Sequence, residues 1–236
     1  MTRQFLAIKV NGMEIVLVIG DTHCPCLNPK YVDHCLSAAN FWGATRVVMI
    51  GDLVDNHCLS FHLREPRLKS VDQEYSKALK QVGQITDAFS HLPVDMMLGN
   101  HDVLNYRWAK EVGLDAEIHM RSFSAVWDLP DNWTVHPRYA MHRIGSVLYQ
   151  HGDRGRGNAL LNAQQEWSSL VQGHHHQLAS VSFVQNANKR FFAVNTGCGV
   201  NHKALAQSYG RKYASRPVLS CAVVIGNETA VVEPMR

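Results

Sequence analysis

The chain has 236 residues, 46% hydrophobic and 18% charged, with a formal net charge of +3 at pH 7. That balance belongs to a globular protein and excludes disordered, fibrous and strongly basic classes. The opening stretch MTRQFLAIKV is soon interrupted by Lys9, Asn11 and Glu14, and no apolar run of about eighteen residues follows, so neither a secretory leader nor a membrane span is predicted.

Phe5 to Val10 and Ile15 to Ile19 are β-branched-rich runs around Asn11-Gly12, which predicts a hairpin. The run Ile15-Val16-Leu17-Val18-Ile19 does not alternate, as expected of a strand buried on both faces. A helix is predicted over 29–42, with Val32, Cys35, Leu36 and Ala39 on one stripe, and a buried strand over 47–50. A longer helix is predicted over 71–89, with Tyr75, Ala78, Leu79, Val82, Ile85 and Phe89 at helical spacing, followed by a strand over 94–98. This alternation predicts a parallel arrangement. The second half reads as short strands at 147–149, 169–171, 181–184, 191–194, 222–225 and 230–232, with one helix at 159–167. Neither a repeat nor a linker divides the chain. The economical expectation is one α/β domain over 1–236 built from two packed sheets, with the Trp- and Arg-containing segment 106–139 as a small cap.

The chemistry-bearing residues follow predicted strand ends: Gly20-Asp21-Thr22-His23, Gly51-Asp52-Leu53-Val54-Asp55, Gly99-Asn100-His101-Asp102, His151-Gly152-Asp153 and Gly173-His174-His175-His176. In open α/β sheets ligands gather at the carboxyl ends of strands, so five such turns can converge. Imidazole and carboxylate donors suit manganese, iron or zinc better than magnesium. Two divalent cations roughly 3.5–4 Å apart need a shared anionic ligand. If the segments are extended, Asp21 and His23, and likewise His174 and His176, share a face, while His175 points away. Taken alone, each fragment has a simpler reading as a turn, a cap or surface histidine. Their order and their common placement at strand ends are what carry the argument. The 14 histidines fit metal or acid–base chemistry. Six cysteines, Cys24, Cys26, Cys35, Cys58, Cys198 and Cys221, contain no C-x-x-C pair, which excludes a zinc knuckle and predicts a reducing cytoplasm.

The series Asp21-x-His23, Gly51-Asp52-x-x-Asp55, Gly99-Asn100-His101-Asp102, His151 and Gly173-His174-x-His176 resembles the signature of the calcineurin-like metallophosphoesterases. The resemblance implies two mixed β-sheets packed face to face and flanked by helices. It implies a phosphoester hydrolase with two divalent ions, manganese first and iron, zinc or nickel as alternatives. Asp21, His23 and His176 would hold one ion, Asn100, His151 and His174 the other, and Asp52 would bridge. A metal-bridging hydroxide would attack phosphorus, with His101 beside the leaving oxygen and Asp55 orienting His101. Two departures are informative. His151 lies between Gln150 and Gly152, where the family usually has Gly-His, and Asn56-His57 follows Asp55, where protein phosphatases carry Arg-Gly. The missing arginine argues against a Ser/Thr protein phosphatase.

Arg154 and Arg156 are candidate phosphate-binding residues, and Arg64, Arg67, Arg107 and the basic stretch 203–216 could serve similarly. The substrate expected is a nucleotide or nucleic acid. A DNA nuclease of the double-strand-break-repair type is the sharper version, and an inactive scaffold of the same fold is the contrasting alternative.

Overall fold

The computed structural model describes residues 12–61, 65, 68, 70–154, 157–204 and 215–235. The elements are β1 (Ile15–Ile19), α1 (Tyr31–Trp42), β2 (Arg46–Met49), a 3-10 turn (His57–Leu59), α2 (Val71–Ala88), β3 (Val94–Met97), α3 (Leu104–Glu111), α4 (Ala116–His119), α5 (Phe123–Val126) and β4 (Trp133–His136). They continue with β5 (His142–Ile144), β6 (Val147–Gln150), α6 (Ala159–Glu166), β7 (Ser169–Gln172), β8 (Ala179–Gln185), β9 (Arg190–Thr196), β10 (Ser220–Ile225) and β11 (Thr229–Pro234).

Two mixed sheets result. The first runs β11-β10-β1-β2-β3-β4 and the second β5-β6-β7-β9-β8. In the first, β1 to β4 are parallel, and β10 and β11 join antiparallel. In the second, β6, β7 and β9 are parallel between antiparallel neighbours. Val16, Val18, Val48, Ile50 and Met97 meet Val147, Tyr149, Val171, Phe192 and Val194 between the sheets. On the opposite face Leu17, Ile19, Val47 and Met49 pack under Cys35, Ala38 and Ala39 of α1 and Ala78, Val82 and Ile85 of α2. β1 is therefore buried on both faces, which is why its sequence does not alternate. Outside the second sheet, Leu148, Leu170 and Phe191 pack on Ala159 and Ala163 of α6.

Both edges of β1 are taken, by β10 and β2; the first strand of the hairpin predicted across Asn11-Gly12, residues 5–10, and Asn11 itself lie outside the described residues. One expectation changes. The segment 106–139 is divided. Trp133–His136 is the edge strand beside β3, and Phe123 and Trp127 are buried in the core under α2, so these residues belong to the main body and not to a cap. Burying two aromatic side chains secures the segment there, at roughly 1.5–3 kcal/mol each.

Tyr31 links α1 to the end of β1. Its buried hydroxyl accepts from the Gly20 N–H at 3.0 Å and donates to the Ser220 carbonyl at 2.7 Å. Gly20 immediately precedes Asp21, so this hydroxyl helps to set the first turn of the site. Tyr31→Phe orphans a buried N–H and should lower unfolding stability by about 1–3 kcal/mol. An unchanged denaturant midpoint would show that the contact contributes nothing.

Candidate metal centre

The five turns converge at the carboxyl ends of β1, β2, β3, β6 and β7. Three groups of side chains there have ligand atoms within 4.8 Å of one another: Asp21, His23 and His176; His23, Asp52 and His101; and Asp52, His151 and His174. The groups share His23 and Asp52, so they form one continuous cluster. Four aspartates lie almost out of solvent here, with exposures of 0% for Asp21, 2% for Asp52, 2% for Asp55 and 0% for Asp102.

Asp52 occupies the centre. Its Oδ1 accepts from the main-chain N–H of His101 at 2.8 Å. Its Oδ2 lies 3.2 Å from His151 Nε2 and 3.6 Å from His23 Nε2. Gly99 makes this possible, because a Cβ there would collide with the Asp52 carboxylate. Gly51 similarly leaves room for the His151 ring, at a φ of +119°.

The second nitrogen of each inner imidazole is fixed. His23 donates Nδ1–H to Asp55 Oδ1 at 2.7 Å, and its Nε2, buried, has no hydrogen-bond partner among the described residues. His151 donates Nδ1–H to the Ile50 carbonyl at 3.1 Å. Its Nε2 faces two oxygens at 3.2 Å, Asn100 Oδ1 and Asp52 Oδ2. In a neutral imidazole that nitrogen carries a lone pair, and a lone pair facing two oxygens is stable only with a cation among them. A proton supplies it in the bare chain: burial favours neutral His151, yet the Asp52 and Asp21 carboxylates outweigh it and push its pKa up to about 10. Asp21 Oδ1 is also buried without a hydrogen-bond partner among the described residues, while Oδ2 accepts from the His174 N–H at 2.9 Å and lies 3.1 Å from His176 Nε2. Orphaned donor atoms aimed at shared points are the pattern that a pair of divalent cations would satisfy.

Burial opposes the charge on Asp52, but the His151 and His101 imidazoles hold its carboxyl well below the usual range. Burial, reinforced by the His101 imidazole, depresses His23 and favours its neutral, ligand-competent form. His101 moves upward: burial lowers it, and the Asp52 and Asp55 carboxylates more than offset this.

The extended-segment argument for Asp21–His23 and His174–His176 does not hold, because His23 and His174 adopt left-handed φ values of 47° and 64°. Asp52 does so too, at 48°. Such conformations cost energy in non-glycine residues but are enriched in Asp and His. His175 does point elsewhere, with its Nε2 3.0 Å from the Gly157 carbonyl. Asp55 serves two histidines. Its carboxylate bonds to His23 and stands 3.6 Å from His101 Nδ1, which donates to the Asp55 main-chain carbonyl at 2.7 Å. Asp102 was not singled out by its sequence. Its Oδ1 accepts from Val54 N at 3.1 Å and Oδ2 from Gly99 N at 2.8 Å, bracing the second turn against the third. Burial, then the Asp52 charge, pushes its pKa up to about 7. An Asp closing a Gly-Asn-His-Asp turn was the available signal, since such side chains bond nearby main-chain N–H groups. Arg154 is exposed beyond the fourth turn, and Arg64, Arg67, Arg156 and 205–214 lie outside the described residues.

The chain belongs to the calcineurin-like phosphoesterase family, whose sequence model matches residues 15–200. That family uses a dinuclear metal site. No curated protein matches the chain. Solved structures similar to it include Vacuolar Protein Sorting 29 from Cryptosporidium parvum, 16% identical over 95% of this chain and 92% of that one, with a TM-score of 0.48. The phosphoesterase Yfce from E. coli is 15% identical over 89% and 87%, with a TM-score of 0.42. The nuclease MPE from Pseudomonas putida is 12% identical over 93% and 87%, with a TM-score of 0.38.

The Asp55–His23 hydrogen bond gives a direct test. Asp55→Asn should weaken metal binding about 10–100-fold, the usual effect of losing the partner that orients a ligating imidazole. Unchanged metal affinity with a lowered turnover would instead mean that Asp55 acts through His101.

Proposed function

We propose that the protein is a dinuclear-metal phosphoester hydrolase acting on a nucleotide or nucleic-acid phosphoester. Asp21, His23 and His176 would hold one ion, Asn100, His151 and His174 the other, and Asp52 would bridge. The observation that carries this reading is the position of Asp52 Oδ2 between the inner nitrogens of His23 and His151. Four of the seven proposed ligands are imidazoles, a donor set that favours manganese over magnesium, with iron, zinc and nickel also suited. When bound, such ions would acidify a water and neutralise charge on phosphoryl oxygens.

The chain's own residues supply the rest. His101 is half-buried at the rim, fixed by its main-chain bond to Asp52 and its ring bond to the Asp55 carbonyl, and Asn56 Nδ2 donates to its carbonyl at 2.9 Å. Its raised pKa favours the protonated form, suited to give a proton to a leaving oxygen. An inactive scaffold would not require this set of donors to converge.

The nucleotide reading rests on exposed aromatic residues that follow the second and third turns in the chain. Phe61 and Trp108 stack at 5.0 Å and 14°, and the Arg107 guanidinium lies 4.5 Å above the Phe61 ring. Trp108 is anchored through Nε1–H to the Leu59 carbonyl, three residues beyond Asn56. Aromatic faces beside a cation suit nucleobases next to a phosphate, in a nucleotide or at a DNA end. All six cysteines are buried and none is in a disulfide, which suits the reducing cytoplasm of this reading. No helix among the described residues is long and apolar enough to cross a membrane.

With manganese loaded, His101→Asn should keep its metal and lose turnover by about a hundredfold or more on poor leaving groups. The loss should shrink for p-nitrophenolate esters, which need little protonation. Loss of metal would make His101 a ligand, and an equal defect for both leaving groups would remove the acid role. In parallel, Trp108→Ala should raise KM for a dinucleotide about fivefold or more, within the range for one stacked base, and spare bis(p-nitrophenyl) phosphate. An unchanged KM for the dinucleotide would contradict the nucleobase reading.

A further inference from the structure

A second histidine–carboxylate cluster lies in the seam between the sheets. Asp95 on β3 shares its face with Met97, toward the second sheet, and is 4% exposed. Its Oδ1 is 2.8 Å from His136 Nε2 and 3.3 Å from His142 Nε2. The two rings stack at 4.0 Å and 27°, so both nitrogens face the same oxygen. Asp95 Oδ2 accepts from Arg46 Nη1 at 2.6 Å, and Arg46 in turn donates Nε–H to Glu14 at 3.0 Å. The three ligand atoms fall within 4.8 Å of one another.

A second observation points to a ligand there. Tyr149, which faces His142 across the β5–β6 pair, is fully buried, and its hydroxyl has no hydrogen-bond partner among the described residues. Burial, and then the Glu14 and Asp95 carboxylates, push the phenol's pKa up and keep its proton in place. A buried phenol normally finds a partner, and one beside an incomplete ligand set is suited to a water in the remaining coordination position.

We propose that Asp95, His136 and His142 form a mononuclear site for a divalent cation of the zinc class, separate from the dinuclear centre. Two imidazoles and a carboxylate are a zinc-competent donor set. With bonds of about 2.0–2.1 Å, tetrahedral ligand atoms stand about 3.3 Å apart, so the His142 contact already fits and the His136 contact must open by about half an ångström. The Arg46 bond leaves Asp95 one oxygen for the ion and fixes its orientation, the role of a supporting partner. Glu14 offsets the Arg46 charge. Asp95 precedes Asn100 by five residues, so the site lies on the order of 15 Å from the dinuclear centre along the strand.

The position suggests what the ion does. His136 ends β4 in the first sheet and His142 begins β5 in the second. An ion held by β3, β4 and β5 would staple the crossover between the sheets at the edge where each has a short terminal strand. Its place at the sheet edges, with the fully buried Tyr149 paired to His142 across β5 and β6, suits a structural ion more than a catalytic one.

The test uses the full chain, stripped by chelator, dialysed against zinc and assayed for bound metal and Tm. His142→Ala should bind one zinc per chain fewer than the unaltered protein and lose the part of the zinc-dependent rise in Tm that persists in Asp52→Asn. Its manganese-supported hydrolysis of bis(p-nitrophenyl) phosphate should be unchanged. Tyr149→Phe should bind this zinc about tenfold more weakly. Equal zinc content and equal Tm response in His142→Ala and the unaltered protein would overturn the proposal. Because the comparison is made also in Asp52→Asn, failure of the dinuclear reading would leave this result intact. If His142→Ala does not fold, His142→Gln carries the same measurement, and retention of the zinc there would equally overturn it.

Discussion

The architecture turns on one electrostatic constraint: Asp21, Asp52 and Asp55 are buried together at the ends of two adjacent parallel strands. Carboxylates out of water are tolerated only when paired or bound to cations. Here His151, from a turn of the second sheet, supplies countercharge to Asp52 and Asp21, so the site ties the two sheets together at one end. Asp21 and Asp52 come from the first sheet, and His151, His174 and His176 follow strands of the second. The inter-sheet core and the site thus constrain each other.

The same carboxylate links the proposed metal and acid functions. Asp52 Oδ2 faces the inner imidazoles while Oδ1 takes the His101 N–H. Displacing Asp52 would therefore disturb the proposed bridge and the placement of the proposed acid together. The Asp55 residue adds to this economy, with its side chain on His23 and its carbonyl on His101. The seam cluster shows a contrasting use of the same residue types. Around Asp95 the carboxylate is braced by Arg46, whereas Asp52 is shared among imidazoles of several turns; in both clusters the outer histidines, His136 and His142 here and His101, His174 and His176 there, are only half-buried.

Much of this was legible in the sequence. The strands β1, β2 and β3 announce themselves as buried apolar runs, and glycines followed by Asp, Asn or His mark their ends. The turns converge as their order suggested. What spacing could not convey was the path of the chain within each turn. His23, Asp52 and His174 adopt left-handed conformations, so alternation of faces was the wrong guide. Nor could spacing assign Asp55 to His23 or join Asp102 to Val54, because those contacts link turns about 30 to 50 residues apart. The short strands β4 and β5, WTVH and HRI, lack the apolar pattern of the others. Their histidines are drawn inward by Asp95, an interaction invisible to a hydrophobic count.

The central claim is that two cations share Asp52, and electron paramagnetic resonance of the manganese-loaded chain tests it most directly. Ions about 3.5–4 Å apart across one carboxylate should give an exchange-coupled, multiline dinuclear spectrum. In Asp52→Asn that spectrum should collapse to the six-line signal of isolated manganese. A six-line signal from the fully loaded, unaltered protein would contradict the account.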